Sequence, residues 1–201
     1  MGFDSGVLLN ENSPNCSNED PDIFPNVCKG TQNPHSWIRD SCIWYSKKIT
    51  SRLGMKKFQE YITRFDYGNM DLSSGLTEAW ISSSLQISPT QQIEFLQKIV
   101  IQKLPVSKKA YENTKKIMFV QEMVGGWKLY GKTGLSTLRD KNGNLTDLYN
   151  GWFVGYIEKD GRTIEFVSHI IDAEKQDTFA SVRAKNEALN KLWYLIQIIE
   201  K

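Results

Sequence analysis

The sequence predicts an α+β fold in which a helical lobe is followed by an antiparallel sheet and a closing helix. Two observations support this: helical periodicity from Asp40 to about Phe119, and strand-like alternation beyond Val120. The chain has 201 residues, 40% of them hydrophobic, which is enough for one domain with its own core. We therefore predict a single domain, with residues 36–119 as the helical lobe and residues 120–201 as the sheet lobe.

A polar, proline-rich stretch, residues 10–36, is expected to be a surface loop before the helices begin. Helices are then expected at residues 41–53, 55–65, from 89 onward, and at 107–118. The helix after residue 88 has a well-defined start, because Ser88 can cap it, Pro89 fits its first position and Gln91 completes a capping box.

Strands are expected at residues 128–132, 152–158 and 163–171. Between the last two, "EKDGRT" contains Asp160-Gly161, a dipeptide typical of tight hairpins. A helix over residues 176–199 is expected to close the chain. Its broad buried stripe would comprise Ala184, Leu189, Leu192, Trp193, Ile196 and Ile199.

Composition excludes some classes of partner. The net charge of +2 gives no electrostatic argument for nucleic acid or an anionic membrane surface. No apolar run is long enough to span a bilayer. The first residues, "MGFDSGVLLNENSPN", contain neither a basic nor an apolar signal region, so the chain as written is expected to stay in the cytoplasm.

The chain contains three cysteines, Cys16, Cys28 and Cys42, and their spacing matches no zinc motif. We expect three free thiols, with a Cys28–Cys42 disulfide as the alternative. Cys42 is expected to be a buried small hydrophobe rather than a reactive thiol.

The stretch "WKLYGKTGLST", residues 127–137, places Lys132-Thr133-Gly134 where the strand is expected to end. The ordinary interpretation is that Lys132 simply reaches water. The functional interpretation makes this edge the wall of a cleft, with Lys132 supplying positive potential and Thr133 a hydroxyl for a substrate carboxylate. Gly134 would leave room for the substrate, and the Leu135 N–H would face an oxyanion.

Short motifs accompany this triplet in a fixed order: Ser41-Cys42-Ile43, Tyr67-Gly68-Asn69, Trp80, "YGKTG" and "GWFVGY". Together they resemble the motifs of class D (oxacillinase-type) β-lactamases, from Met1 to the C-terminal helix. The resemblance implies a β-lactamase/transpeptidase-like fold, hydrolysis of β-lactams of the penicillin and oxacillin class, and a periplasmic or secreted protein. It implies no metal and no organic cofactor, although carbon dioxide carbamylates a catalytic lysine in the complete enzyme.

The resemblance also implies roles for residues of the helical lobe. Ser41 matches the serine that relays a proton to the leaving nitrogen, and Ile43 the aliphatic residue that keeps the general base dry. Trp80 matches the tryptophan whose indole N–H steadies the carbamylated lysine. The Tyr67-Gly68-Asn69 turn is expected to be structural. On the residues alone, Ser41 could equally be a helix N-cap and Trp80 a core side chain.

In the sheet lobe, the resemblance assigns Lys132, Thr133 and Leu135 to the substrate-binding strand edge. Arg183 matches the arginine that grips the β-lactam carboxylate, a task suited to a bidentate guanidinium. A solvated arginine would also be ordinary on a helix. His35 and His169 match no catalytic position of the family, and we expect both to be structural.

One family motif is not found in the sequence. The nucleophile and the carbamylated lysine lie in Ser-x-x-Lys, yet no serine or threonine here is followed by lysine three residues later. The segment "MGFDSGVL" resembles the one that follows this motif. We therefore expect an N-terminally truncated family member, lacking the family's N-terminal elements and inactive as written. The alternatives are a non-catalytic, sensor-like β-lactam-binding module and a non-functional gene remnant.

Overall fold

A computed structural model describes residues 1–17, 28–81 and 84–201 and shows the expected α+β architecture. The helices are α1 (Pro34–Asp40), α2 (Ile43–Leu53), α3 (Met55–Phe65), α4 (Pro89–Val100), α5 (Lys108–Met118) and α6 (Ala180–Ile199). The strands are β1 (Cys16–Ser17), β2 (Thr31–Gln32), β3 (Phe119–Glu122), β4 (Lys128–Arg139), β5 (Leu145–Lys159) and β6 (Arg162–Ile171).

The chain divides into two compact units. The helical unit comprises Met1–Ile87 and Ile101–Met118, and the sheet unit comprises Ser88–Val100 and Phe119–Lys201. Helix α4 belongs to the sheet unit, where it packs against β6. The assignment of one domain with lobes at residues 36–119 and 120–201 stays a prediction.

Local sequence signals set several helix boundaries. Helix α3 has the predicted bounds, beginning after Gly54 and ending where Asp66 turns left-handed. Helix α4 begins with the predicted capping box, because the Ser88 amide donates to Gln91 Oε1 at 3.0 Å and the Gln91 amide to Ser88 Oγ at 3.2 Å. That start is confirmed.

The described residues before α2 contain elements that the sequence did not predict. The expected loop over residues 10–36 contains β1 and β2 and the start of α1, and its residues 18–27 lie outside the described part. Pro34 begins α1, and Asn33 and Ser36 cap it reciprocally. A short helix with its own capping box was hidden in a proline-rich stretch.

The expectation of three free thiols is wrong, and the alternative, a Cys28–Cys42 disulfide, is confirmed. Cys28 and Cys42 form a disulfide with their Cα atoms 5.6 Å apart, and Cys16 is free and buried. Helix α1 brings the chain back on itself, so residues 14 positions apart meet. Both bridged cysteines lie in the core of the helical unit, with Phe3, Leu8, Tyr45, Ile49 and Ile117.

In the sheet unit, β3, β4, β5 and β6 pair antiparallel in that order among the described residues. The predicted Asp160-Gly161 hairpin joins β5 to β6, and both of its residues have positive φ. Strand β4 does not end at Lys132 as expected but continues to Arg139, because it pairs with β5 along this whole length. Strand β3 covers β4 only as far as Tyr130. The β4 edge from residue 131 onward therefore has no partner strand within the described residues.

The two faces of the sheet carry different residues, because side chains alternate along each strand. Leu129, Phe153 and Ile157 are fully buried on the face that α6 covers. Lys132 pairs with Val154, so the alternation of the pleat turns both toward the opposite face.

Helix α6 starts at Ala180, four residues later than predicted. It buries Ala184, Ala188, Leu192 and Ile196, which follow one another at a spacing of four. Leu189 and Ile199 pack at the margin of this core. The placement of Trp193 in the buried stripe is wrong, because its side chain is turned away from that row and is 50% exposed.

Candidate active site

The open edge of β4 carries the lysine and threonine predicted for substrate binding. Lys132 Nζ donates to the Thr133 carbonyl oxygen at 2.7 Å and lies 3.4 Å from Thr133 Oγ1. The two side chains start on opposite faces of the strand, and the Lys132 ammonium nevertheless reaches both oxygens of Thr133. The structure thus brings an ammonium and a hydroxyl together at one place.

The Lys132 ammonium is in an environment that disfavours its charge. Burial lowers the pKa of Lys132 to about 8, and the positive charge of Lys185 adds to this effect. Lys185 lies with its ammonium 5.9 Å from the centre of the Phe153 ring, and Phe153 pairs with Thr133 across the sheet. An anionic ligand at this edge would relieve the repulsion between the two lysines.

Gly134 and Leu135 continue the same edge. A side chain added at Gly134 would meet only the Trp152 side chain, at an ordinary 3.6 Å, so packing does not require glycine here. Leu135 pairs with Gly151 and is partly buried. The predicted roles of Gly134 in substrate clearance and of the Leu135 N–H as an oxyanion donor stay predictions.

Arg183 is bound by a residue that the sequence analysis did not name as its partner. Its guanidinium forms an ion pair with Asp172, whose side chain is completely buried, and its Nε donates to the Thr178 carbonyl at 3.0 Å. The other Asp172 oxygen accepts from the Tyr149 amide at 3.0 Å. The predicted grip of Arg183 on a substrate carboxylate would have to share the guanidinium with Asp172.

Ser41 lies at the junction of α1 and α2. It is exposed and ends α1 in a left-handed conformation, with φ 58° and ψ 43°. The reading of Ser41 as a helix N-cap is therefore wrong, and so is the start of that helix at Ser41, because Cys42 caps α2. Ile43 is the first residue of α2 and is partly buried.

The Tyr67-Gly68-Asn69 turn is hydrogen-bonded to the segment of residues 84–86 in the helical unit. Asn69 Nδ2 donates to the Ser84 carbonyl at 2.8 Å, and Asn69 Oδ1 accepts from the Gln86 amide at 3.0 Å. A Cβ at Gly68 would lie 2.0 Å from the Gln86 carbonyl oxygen, and its φ is +58°, so glycine is required. This geometry is that of a structural turn.

Trp80 is partly buried and packs edge-on against Phe58, with ring centroids 6.0 Å apart. This contact holds the indole in the helical unit whether or not its N–H serves a catalytic group. The role of Trp80 beside a carbamylated lysine stays a prediction.

The predicted site residues fall into two sets. Ser41, Ile43, Tyr67, Gly68, Asn69 and Trp80 lie in the helical unit, and Lys132, Thr133, Gly134, Leu135 and Arg183 lie in the sheet unit. Sequence reasoning missed Asp172 and Lys185, and it gave the disulfide only as the alternative to three free thiols. Of the two missed residues, only Asp172 could have been noticed in the sequence, because it directly follows an apolar strand. A carboxylate that is buried at such a position needs a cationic partner.

The two histidines take no part in this edge's hydrogen bonds. His169 stacks on Trp152 at a centroid distance of 3.8 Å and contacts Asn150 Oδ1 through Nε2 at 2.6 Å. Burial lowers the pKa of His169. Among residues 1–17, 28–81 and 84–201, no three His, Cys, Asp or Glu side chains are grouped so that they could hold a metal ion.

Known proteins share both the sequence and the fold. Residues 1–193 match the model of the penicillin binding protein transpeptidase domain. The β-lactamase OXA-9 of Klebsiella pneumoniae is 40% identical over 202 aligned residues, which cover 96% of this chain and 73% of OXA-9.

Solved structures give the same result. The class D β-lactamase OXA-427 superposes with a TM-score of 0.89 at 40% identity, covering 98% of this chain and 84% of OXA-427. The C-terminal domain of the Bacillus licheniformis BlaR penicillin-receptor superposes with a TM-score of 0.81 at 28% identity, covering 96% of this chain and 75% of that domain.

The fold and the strand edge thus define a penicillin-binding transpeptidase-type domain, and the chain belongs to that family. Within it, the chain is a member of the class D β-lactamases, as the sequence motifs predicted. No helix of the described residues is long and apolar enough to cross a membrane.

Proposed function

We propose that this chain forms the carboxylate-binding wall of a class D β-lactamase and that the 201-residue polypeptide alone does not turn over β-lactams. The observation that supports the first part is the contact of Lys132 with Thr133 on the part of β4 that lies beyond its pairing with β3. The second part rests on the sequence, in which no Ser-x-x-Lys occurs.

The strand edge would supply groups that bind two different parts of a β-lactam. The Lys132 ammonium would attract the carboxylate that penicillins carry, and the Thr133 hydroxyl would donate a hydrogen bond to it. The Leu135 N–H, two residues further along the edge, would donate to the β-lactam carbonyl oxygen. Such a donor accelerates the reaction only where negative charge develops on that oxygen.

Charge develops there only after a nucleophile attacks. A serine hydrolase needs a nucleophile activated by an adjacent base, and in this family both come from Ser-x-x-Lys. Ser41 is a poor substitute, because its matched role is to pass a proton and Trp44, not lysine, stands three residues after it. The 201 residues would therefore bind a β-lactam reversibly without forming an acyl-enzyme.

A second candidate is a non-catalytic β-lactam-binding module. Its support is the similarity to the BlaR penicillin-receptor domain. Tight, saturable binding would favour it over the weak binding expected of a β-lactamase wall alone, whereas no binding at all would favour a non-functional remnant.

We further propose that the protein matures in the periplasm or outside the cell, as the resemblance implies. The Cys28–Cys42 disulfide supports this location, because disulfides form and persist in oxidising compartments. The β-lactam is the partner we propose, and the small net charge still favours no nucleic acid.

Two assays test the proposed function. Penicillin binding is followed by NMR in the 201-residue protein, in Lys132→Ala and in Lys128→Ala, a control on the same strand that alters an exposed lysine. We expect weak binding that only Lys132→Ala abolishes. Hydrolysis of a chromogenic cephalosporin should stay at the buffer rate, and activity that vanishes in Ser41→Ala would overturn the proposal.

A further inference from the structure

We propose that the Cys28–Cys42 disulfide is a positioning device for Ser41: it fixes the junction of α1 and α2 that presents the Ser41 hydroxyl, and a thiol reductant releases it. The catalytic meaning rests on the proposed function, because Ser41 is the residue matched to proton relay. The structural effect can be tested without any β-lactam.

Ser41 has a backbone conformation that needs support. Left-handed φ and ψ angles are readily adopted by glycine, but they are unfavourable for serine and persist only where the surroundings impose them. Two consecutive amides, those of Ser41 and Cys42, point to the Trp37 carbonyl oxygen, the second at 3.2 Å. These bonds close the end of α1 around Ser41.

The disulfide fixes the chain immediately after Ser41. Cys42 is completely buried and is bonded to Cys28. The Trp44 indole N–H donates to the Cys28 carbonyl at 3.3 Å, so the first turn of α2 holds Cys28 by a second link. The start of α2 therefore cannot rotate without moving Cys28.

Helix α1 is tied to α2 from the other side of Ser41. The Trp37 indole N–H donates to Ser46 Oγ at 2.8 Å, and the Trp37 ring stacks on Tyr45 at 5.5 Å between centroids. Ser41 thus lies between a residue of α1 that contacts α2 and a cysteine that is covalently anchored. Of these links, the disulfide is the one that a change of redox conditions removes.

Reduction would break one bond and form two thiols. A dithiol such as dithiothreitol gives two electrons and two protons to the Cys28 and Cys42 sulfurs and becomes a cyclic disulfide itself. Both cysteines are buried, with 2% and 0% exposure, so reductant reaches them only when the segment opens locally. The disulfide that fixes the Ser41 backbone would thus form in an oxidising compartment, and its burial would slow later reduction.

The test measures amide hydrogen exchange at single residues by NMR in the 201-residue protein. The reference is Cys16→Ser, which keeps the bridge and removes the free thiol of the same core, so that wrong pairing cannot occur. The test variant adds Cys28→Ser. We expect protection at the Ser41 and Cys42 amides to fall about ten-fold or more while the amides of α3 change little.

A rescue variant separates positioning from general stabilisation. Ser41→Gly in the unbridged protein should restore much of the protection at residues 41 and 42, because glycine adopts the left-handed conformation without the cost that serine has. Equal protection at residues 41 and 42 with and without the bridge would overturn the proposal. So would a uniform loss of protection, a variant that does not fold, or failure of the glycine rescue. Absence of penicillin binding with the bridge intact would count against the proposed function alone.

Discussion

Arg183 of α6 forms an ion pair with Asp172, which directly follows β6 and has a completely buried side chain. The backbone amide of Asp172 donates to the Tyr149 carbonyl at 2.9 Å, and the Asp172 carboxylate accepts from the Tyr149 amide at 3.0 Å. Arg183 therefore joins the first turn of α6 to the end of β6 and, through Asp172, to Tyr149 of β5. Its structural role exists independently of any substrate.

Replacing Arg183 with alanine should destabilise the protein. The Asp172 carboxylate would be left buried without its cation, which costs about 3 kcal/mol in comparable buried pairs. Urea unfolding measures the change in free energy. Asp172→Asn in the same background should recover part of the loss, because it removes the uncompensated charge. An Arg183→Ala protein as stable as the parent would show that the ion pair contributes nothing.

The binding of penicillin should depend on pH through Lys132. Its pKa is lowered to about 8, so the positive charge is present below that pH and is lost as the pH rises through it. The penicillin carboxylate stays ionised throughout, and affinity should therefore fall above about pH 8. Lys132→Arg is the matched control, since arginine keeps its charge. A pH profile that is the same for lysine and arginine would contradict this assignment.

Two glycines of the sheet should respond differently to alanine. A Cβ at Gly151 would lie 2.1 Å from the Ala180 carbonyl carbon, so the start of α6 would have to move. We expect Gly151→Ala to lower the free energy of unfolding by about 1–3 kcal/mol. Gly134→Ala should leave stability nearly unchanged, because its nearest contact is an ordinary 3.6 Å.

The Gly134→Ala and Gly151→Ala variants also distinguish an effect on stability from an effect on substrate binding. If Gly134 gives the substrate room, Gly134→Ala should weaken penicillin binding although the protein remains stable. Thermal unfolding and NMR titration of both variants measure the two effects. Unaltered binding in Gly134→Ala would remove Gly134 from the site.

Elements with strong local signals could be predicted from the sequence. The Ser88–Gln91 capping box and the Asp160-Gly161 hairpin determine their own boundaries through bonds between near neighbours. The second half of β4 could not be predicted, because residues 133–139 lack hydrophobic alternation and are held there by pairing with β5. The local pattern of hydrophobic residues does not predict a pairing between residues of two separate strands.

In the candidate site, too, local features could be predicted from the sequence and long-range contacts could not. Lys132 and Thr133 were recognisable because their chemistry lies in adjacent residues. The Arg183–Asp172 pair and the Cys28–Cys42 bridge each join residues more than ten positions apart, and their formation depends on how the intervening chain folds. The left-handed conformation of Ser41 was equally hidden, because it results from the junction of α1 with α2.

The proposed function gives the 201-residue polypeptide a β-lactam-binding wall but no acylating nucleophile. Intact-mass spectrometry after incubation with benzylpenicillin tests it most directly, with a class D β-lactamase that contains Ser-x-x-Lys, quenched in acid during turnover, as the positive control. We predict an unchanged mass for this chain and a trapped adduct in the control. A penicilloyl adduct on this chain, mapped to Ser41 or to any other serine, would contradict the account.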